Sequence, residues 1–299
     1  MSVSALNEFV VLELFGPAAV QFLQGQVSAD VEALHQGASA EAFLLEPNGK
    51  TVSLMRLYRE SDDRIWMIVD ANALDATVVR LRKFMIRTKA TLETRNDLFV
   101  LHLESTNRSE LPSQVNVIAT GPPLMNLYPG EMLIVSDLAS EAVSELQSES
   151  ELALQEWYRI ASCYPKFGTE LDLDSVPASF PDLIDRAVSF TKGCYVGQEL
   201  VERMDSRDSS APFAFRAAKI SLDDPSSHLN RSLVGAQIQL SGELAGVVTS
   251  FSSARLDSSD AAFPVAILKL KRKFLKRPVY DVGIGDLQVG SCTFIGSQR

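Results

Sequence analysis

This 299-residue sequence predicts an α+β fold: strands and helices mixed together, then an all-β C-terminal region. Three observations carry that expectation. Strand and helix periodicities alternate up to about residue 205. No helical pattern remains after about Ala211. From Phe213 to Phe294, short apolar strands recur between turn residues, which reads as an antiparallel barrel or sandwich of about ninety residues.

Taken in order, Phe9 to Phe15 alternates as a strand, and Gly16-Pro17 opens a short helix through Phe22. Ala42 to Leu45 and Val52 to Tyr58 flank Pro47-Asn48-Gly49-Lys50, a hairpin signal. Ile65 to Val69 continues the sheet. Ala71 to about Lys89 predicts a helix with Leu74, Val78, Leu81 and Met85 at helical spacing. Arg80, Lys83 and Arg87 share its other face, a solvated stripe or else a docking strip for an anionic folate tail or an acidic partner. Strands follow at Leu98 to Leu103, Val115 to Ala119 and Met132 to Val135, then helices at Ser140 to Leu146 and Ser150 to Cys163, with Ser150 as N-cap. Tyr164 to Ser189, rich in Pro, Asp and Ser, predicts a long ordered loop of the kind that often carries function. The later strands are Phe213 to Leu222, Ala236 to Leu240, Ala245 to Phe251, Phe263 to Leu270 and Leu287 to Phe294. Ser206 to Ser210, short and polar, is the expected hinge.

Composition narrows the function classes. The formal charge of -10 repels nucleic acid, so a direct nucleic-acid partner is disfavoured. No apolar run reaches bilayer length, and Met1 to Glu8 lacks the marks of a signal or transit peptide. Three widely separated cysteines, Cys163, Cys194 and Cys292, give no disulfide framework and suit a reducing cytoplasm. His35, His102 and His228 have no ligands at metal spacing, so no metal site is expected.

The stretch Thr191-Lys192-Gly193-Cys194-Tyr195-Val196-Gly197-Gln198-Glu199 concentrates the chemistry. Two glycines bracket Cys194, and Lys192 lies two residues upstream. After Gly197 a helix is expected, with Leu200, Val201 and Met204 facing inward and Glu199 paired with Arg203. A helix start and an ammonium beside a thiol would favour its thiolate. The plainer alternative is a tight turn around a small buried hydrophobe. Spacing alone tilts slightly to that plainer reading.

The string KGCYVGQE, with Val201 and Arg203 behind it, resembles the signature of the YgfZ family, folate-binding proteins related to the aminomethyltransferase of the glycine cleavage system. Three more segments match in the same order: Phe22 to Val31 (FLQGQVSADV), Pro47-Asn48-Gly49-Lys50 with Leu54 to Leu57, and Arg159-Ile160-Ala161 through Pro165 to Gly168. The resemblance implies an aminomethyltransferase-like folate-binding lobe at 1–205, made of two α+β subdomains, and a C-terminal antiparallel β-barrel at 211–299. It implies tetrahydrofolate or a related folate as cofactor, with Phe9 and Trp157 as candidates to stack on its ring. It implies Cys194 as the reactive residue, assisted by Lys192 in a loop built from Gly193, Tyr195, Gly197, Gln198, Glu199 and Arg203. The implied role is a cytoplasmic accessory factor for synthesis or repair of iron–sulfur clusters in client enzymes, acting on tRNA modification indirectly, with iron–sulfur client or assembly proteins as partners. The alternative is a folate-dependent aminomethyltransferase or other one-carbon transferase. That chemistry needs a carboxylate near the folate amine, and the matching positions hold Ser53 and Leu54. The family's pterin-associated glutamate is likewise replaced by Ala161.

Overall fold

The computed structural model describes residues 3–104, 111, 115–125, 127–137, 142, 149–206, 211–223, 232–253, 263–275, 279–284 and 287–295. It contains two antiparallel sheets and a closed barrel. The strands are β1 (Val3–Ala5), β2 (Phe9–Phe15), β3 (Ser39–Leu45), β4 (Thr51–Ser61), β5 (Arg64–Asp70), β6 (Thr91–Thr94), β7 (Phe99–Leu103), β8 (Asn116–Gly121) and β9 (Glu131–Ser136). The barrel adds β10 (Phe213–Leu222), β11 (Gln237–Leu240), β12 (Glu243–Ser252), β13 (Val265–Lys271), β14 (Val279–Ile284) and β15 (Leu287–Phe294). The helices are α1 (Ala19–Gln24), α2 (Leu74–Phe84), α3 (Glu149–Ala161), α4 (Pro181–Ala187) and α5 (Gln198–Ser206).

One sheet runs β3-β4-β5-β2-β6 and the other β1-β7-β9-β8. Period-two alternation divides the five-stranded sheet between cores. Leu12, Leu14, Ala42, Leu44, Met55, Leu57 and Met67 face α1 and α2, whereas Val11, Trp66 and Ile68 meet Val100, Met132 and Ile134 of the second sheet. On β3 and β4, Phe43, Leu45 and Leu54 join a third core with Trp157, Ile160, Phe180, Leu183 and Tyr195. The barrel strands β10-β13-β12-β11-β14-β15 close on themselves through β15 and β10, which leaves no free sheet edge.

The barrel contributes Phe215, Ala217, Val265 and Ile267 to that same central core. Phe180 stacks on Phe215 with ring centroids 5.0 Å apart, and Trp157 Nε1 donates to Phe263 O at 2.9 Å. A buried polar network runs alongside. Glu170 accepts from Thr249 and Ser250 at 2.8 and 2.6 Å and pairs with Arg159 at 3.2 Å.

Several sequence expectations are corrected. The helix expected to run from Ala71 to Lys89 is a 3-10 turn at Ala71–Ala73 followed by α2, and it ends at Phe84. Arg87, beyond that end, has φ 64. Arg80 does not share a solvated stripe. It is 2% exposed, donates to Leu45 O at 3.1 Å, and lies 3.9 Å from the Phe84 ring centroid. The long loop contains α4, which Pro181 at its first turn and the spacing of Leu183, Ile184 and Ala187 announce. Strands β1, β6 and β14 were not expected, and Ser150 falls in the first turn of α3 rather than ahead of it. The helix expected at Ser140 to Leu146 and most of the hinge lie outside the described residues. Among the described residues no helix is long and apolar enough to cross a membrane.

Candidate functional site

The cysteine loop is held by the first matched segment, in the turn after α1. Lys192 Nζ donates to the carbonyls of Gln24, Val27 and Ala29 at 2.6, 2.8 and 2.7 Å. Ser189 N–H donates to Ser28 O at 2.9 Å and Val196 N–H to Gly25 O at 3.2 Å. Ser28 Oγ donates to Ala187 O and accepts from Phe43 N–H at 2.8 Å. Gln24 closes its own turn by accepting from Val31 N–H at 2.7 Å and donating to Asp30 at 3.0 Å. Burial lowers the Lys192 pKa to about 8, against the pull of Asp30 and Glu32. Three carbonyls, which only accept, suit the ammonium form.

All three Lys192 donors are therefore committed to backbone, which leaves none for the Cys194 sulfur. Lys192 anchors the loop, beyond the charge effect expected of it. Cys194 itself is exposed, which sets aside the buried-hydrophobe alternative. The other two thiols are buried. Burial pushes the Cys292 pKa up to about 12, and it raises that of Cys163 as well.

The two motif glycines differ. Gly197 has φ +87, and a Cβ there would sit 2.7 Å from Glu46 O and 2.8 Å from Leu45 Cβ. Across the same contact Gly49, with φ +78 in the β3–β4 turn, has Leu200 Cβ 2.5 Å from where its own Cβ would be. The hairpin and the start of α5 approach so closely that neither admits a side chain. Gly193 has no positive φ, and a Cβ there would meet nothing within 4 Å. Gln198 Oε1 accepts from Tyr195 N–H at 3.1 Å, which ties the loop to α5, and Arg203 pairs with Glu199 as expected. Val201 is buried, with Leu200 and Met204 half-buried.

Phe9 is half-buried and meets Tyr164 edge-on at 6.3 Å. Trp157 is buried, T-shaped to Tyr158 and Phe263, with its indole N–H committed to the barrel. Ser53 points to α2, where its Oγ accepts from Thr77 Oγ1 at 2.9 Å, and Leu54 lies in the central core beside Phe43. Ala161 is buried in that core too. Neither place expected to bear a carboxylate does so.

Cys163 ends α3 at a position that favours glycine. The α3 terminus shows why glycine suits it. Tyr164 N–H donates to Arg159 O and Cys163 N–H to Ile160 O, the paired bonds of a Schellman end, with Cys163 in the left-handed region at φ 50.

Sequence inspection missed a buried charge cluster. Glu41 on β3 binds Arg56 of β4 at 3.2 Å and Arg186 of α4 at 2.8 Å. The available signal was a charge within each of two apolar strand runs. Among the described residues no three His, Cys, Asp or Glu side chains gather as a metal site.

No protein-family model matches the chain. Among curated proteins, the tRNA-modifying protein YgfZ of Serratia proteamaculans is 24% identical over 273 residues, 86% of this chain and 81% of that one. The tRNA-modifying protein YgfZ of Cronobacter sakazakii is 25% identical over 227 residues, covering 70% and 69%. The chain is thus similar to YgfZ proteins over 70% or more of its length. Among solved structures, glycine cleavage system aminomethyltransferase T from Bartonella henselae superposes with a TM-score of 0.73 at 16% identity, over 99% of this chain and 86% of that one. The chain thus has the aminomethyltransferase fold, α+β sheets completed by a C-terminal barrel.

Proposed function

We propose that this chain is a YgfZ-like folate-binding accessory factor that supports synthesis or repair of iron–sulfur clusters in client enzymes and acts on tRNA modification through them. The observation that carries the proposal is an exposed thiol in a loop fixed at both ends: Cys194 is open to solvent, while Lys192 and Gly197 are locked against the 24–29 turn and the β3–β4 hairpin. A rigid loop that presents one accessible sulfur suits transient contact with a partner's cluster or thiol. The tRNA-modifying name of the relatives agrees with the outcome proposed.

Folate is the ligand suggested by the family and by the fold. Phe9, half-buried and packed edge-on against buried Tyr164, offers aromatic surface to a flat ring. With Leu54 and Ala161 buried in the core, the residues do not offer the carboxylates of a transferase. The aminomethyltransferase alternative therefore loses its expected charge stabilisation. Two experiments test the proposal. A deletion strain complemented with Cys194→Ala should fail to restore tRNA thiomethylation, and rescue equal to wild type would remove the thiol's role. Calorimetric titration with tetrahydrofolate should give heat that Phe9→Ala reduces, and absence of heat with wild-type protein would remove the folate.

A further inference from the structure

The Glu41 cluster adjoins a recess that none of the roles above uses. Glu41 is 4% exposed, and each of its oxygens holds one guanidinium: Oε1 accepts from Arg56 Nη2 at 3.2 Å, Oε2 from Arg186 Nε at 2.8 Å. Arg56 Nη2 also donates to Pro123 O and Leu124 O at 3.0 and 3.3 Å. Two guanidinium ions against one carboxylate leave a single net positive charge. Beside them lies a recess of about 330 Å³, whose wall is completed by Ser39, Ala40, Pro122 and Pro123. Three buried polar atoms of its lining residues have no partner among the described residues: Arg56 Nε, Arg186 Nη2 and Ser39 Oγ. Buried donors in folded proteins nearly always find an acceptor. A guanidinium fork is matched by a carboxylate, and one net charge balances a carboxylate better than a doubly charged phosphate.

We infer that this recess binds the carboxylate of a small organic ligand. The carboxylate takes the spare N–H groups of Arg56 and Arg186 and the Ser39 hydroxyl, and the ligand body lies against Ala40, Pro122 and Pro123. The volume sits at the small end of the roughly 300–1,000 Å³ typical of ligand pockets. Two sources share this chemistry: a free amino-acid-like carboxylate, and the glutamyl end of a folate. Only the second rests on the folate proposal.

Calorimetry on the full chain separates them, with L-glutamate, p-aminobenzoyl-glutamate and 5-formyltetrahydrofolate as probes and uncharged p-aminobenzamide as control. At least one carboxylate probe should bind and the control should not. Arg186→Met should weaken that binding roughly tenfold or more, the loss of a charge-assisted contact. Ser39→Ala should weaken it less, with thermal melting confirming that both variants fold. Glutamate binding without 5-formyltetrahydrofolate binding would keep this inference and remove the folate proposal. Sensitivity of both p-aminobenzoyl-glutamate and 5-formyltetrahydrofolate to Arg186→Met would assign the site to the folate tail. Failure of all three probes to bind, or binding that Arg186→Met and Ser39→Ala both leave unchanged, would overturn it.

Discussion

Within one nine-residue stretch the cysteine loop has two regions of opposite character. Its ends, Lys192 and Gly197, are locked into the fold by three carbonyls on one side and a side-chain-free contact on the other. Its middle, Gly193 and Cys194, is exposed, and a Cβ on Gly193 would meet nothing. The ends are explained by folding alone. The middle is explained by nothing inside this chain, so whatever requirement falls on it comes from what approaches it.

Substitutions along the loop should expose that difference. Lys192→Met strands two buried carbonyls and a part-buried one and should cost about 3 kcal/mol in denaturant unfolding; a loss below about 0.5 kcal/mol would show that the anchor is not one. An acid-side control is of similar size. Burial holds His102 down at about 4, against 6.5 in the unfolded chain. Stability should be intact above pH 6.5 and fall by up to about 3 kcal/mol as pH drops toward 4, because the unfolded chain binds the proton first. The gap between wild type and His102→Asn should narrow over that window. Any pH dependence of thiol labelling above pH 7 then belongs to the loop rather than to unfolding.

Gly197→Ala comes next, at about 2 kcal/mol, from a positive φ and a contact with backbone that cannot move aside. Equal stability of Gly197→Ala and Gly193→Ala would erase the distinction between end and middle. Away from the loop, Cys163→Gly should be at least as stable as Cys163→Ala, by up to about 1 kcal/mol, since only the first relieves the left-handed helix end. The smallest effect belongs to the loop's middle. Gly193→Ala and Cys194→Ala should change stability by less than about 0.5 kcal/mol, yet both should impair complementation. In folded wild-type protein Cys194 should alkylate well before Cys163 and Cys292, and uniform slow labelling of all three would contradict its exposure.

Four strands of the five-stranded sheet, β2 to β5, were legible because their apolar residues alternate between cores on its two faces, whereas the short edge strand β6 was not. The barrel was legible because helix patterning stops after Ala211. The end of α2 was not, since Met85 continues the apolar period while the chain turns at Arg87 without a glycine to signal it. The loop's position in sequence was plain from its glycines and cysteine. The job of Lys192 was not, because its partners are backbone carbonyls some 165 residues away in sequence, and carbonyls leave no mark on composition. The Glu41, Arg56 and Arg186 cluster was hidden for the same reason: its members come from two strands and a short helix that only the fold brings together.

The barrel's place in the central core also sets a schedule for synthesis. Glu170 finds Thr249 and Ser250, and Phe180 finds Phe215, only once the C-terminal strands have been made. At about 5–20 residues per second, the roughly ninety residues of the barrel region take roughly 5–20 s to make. Through that interval the nascent lobe carries an uncovered aromatic face and a carboxylate missing two of its partners. That face, exposed during those seconds, is the kind of surface through which incomplete chains aggregate or meet chaperones.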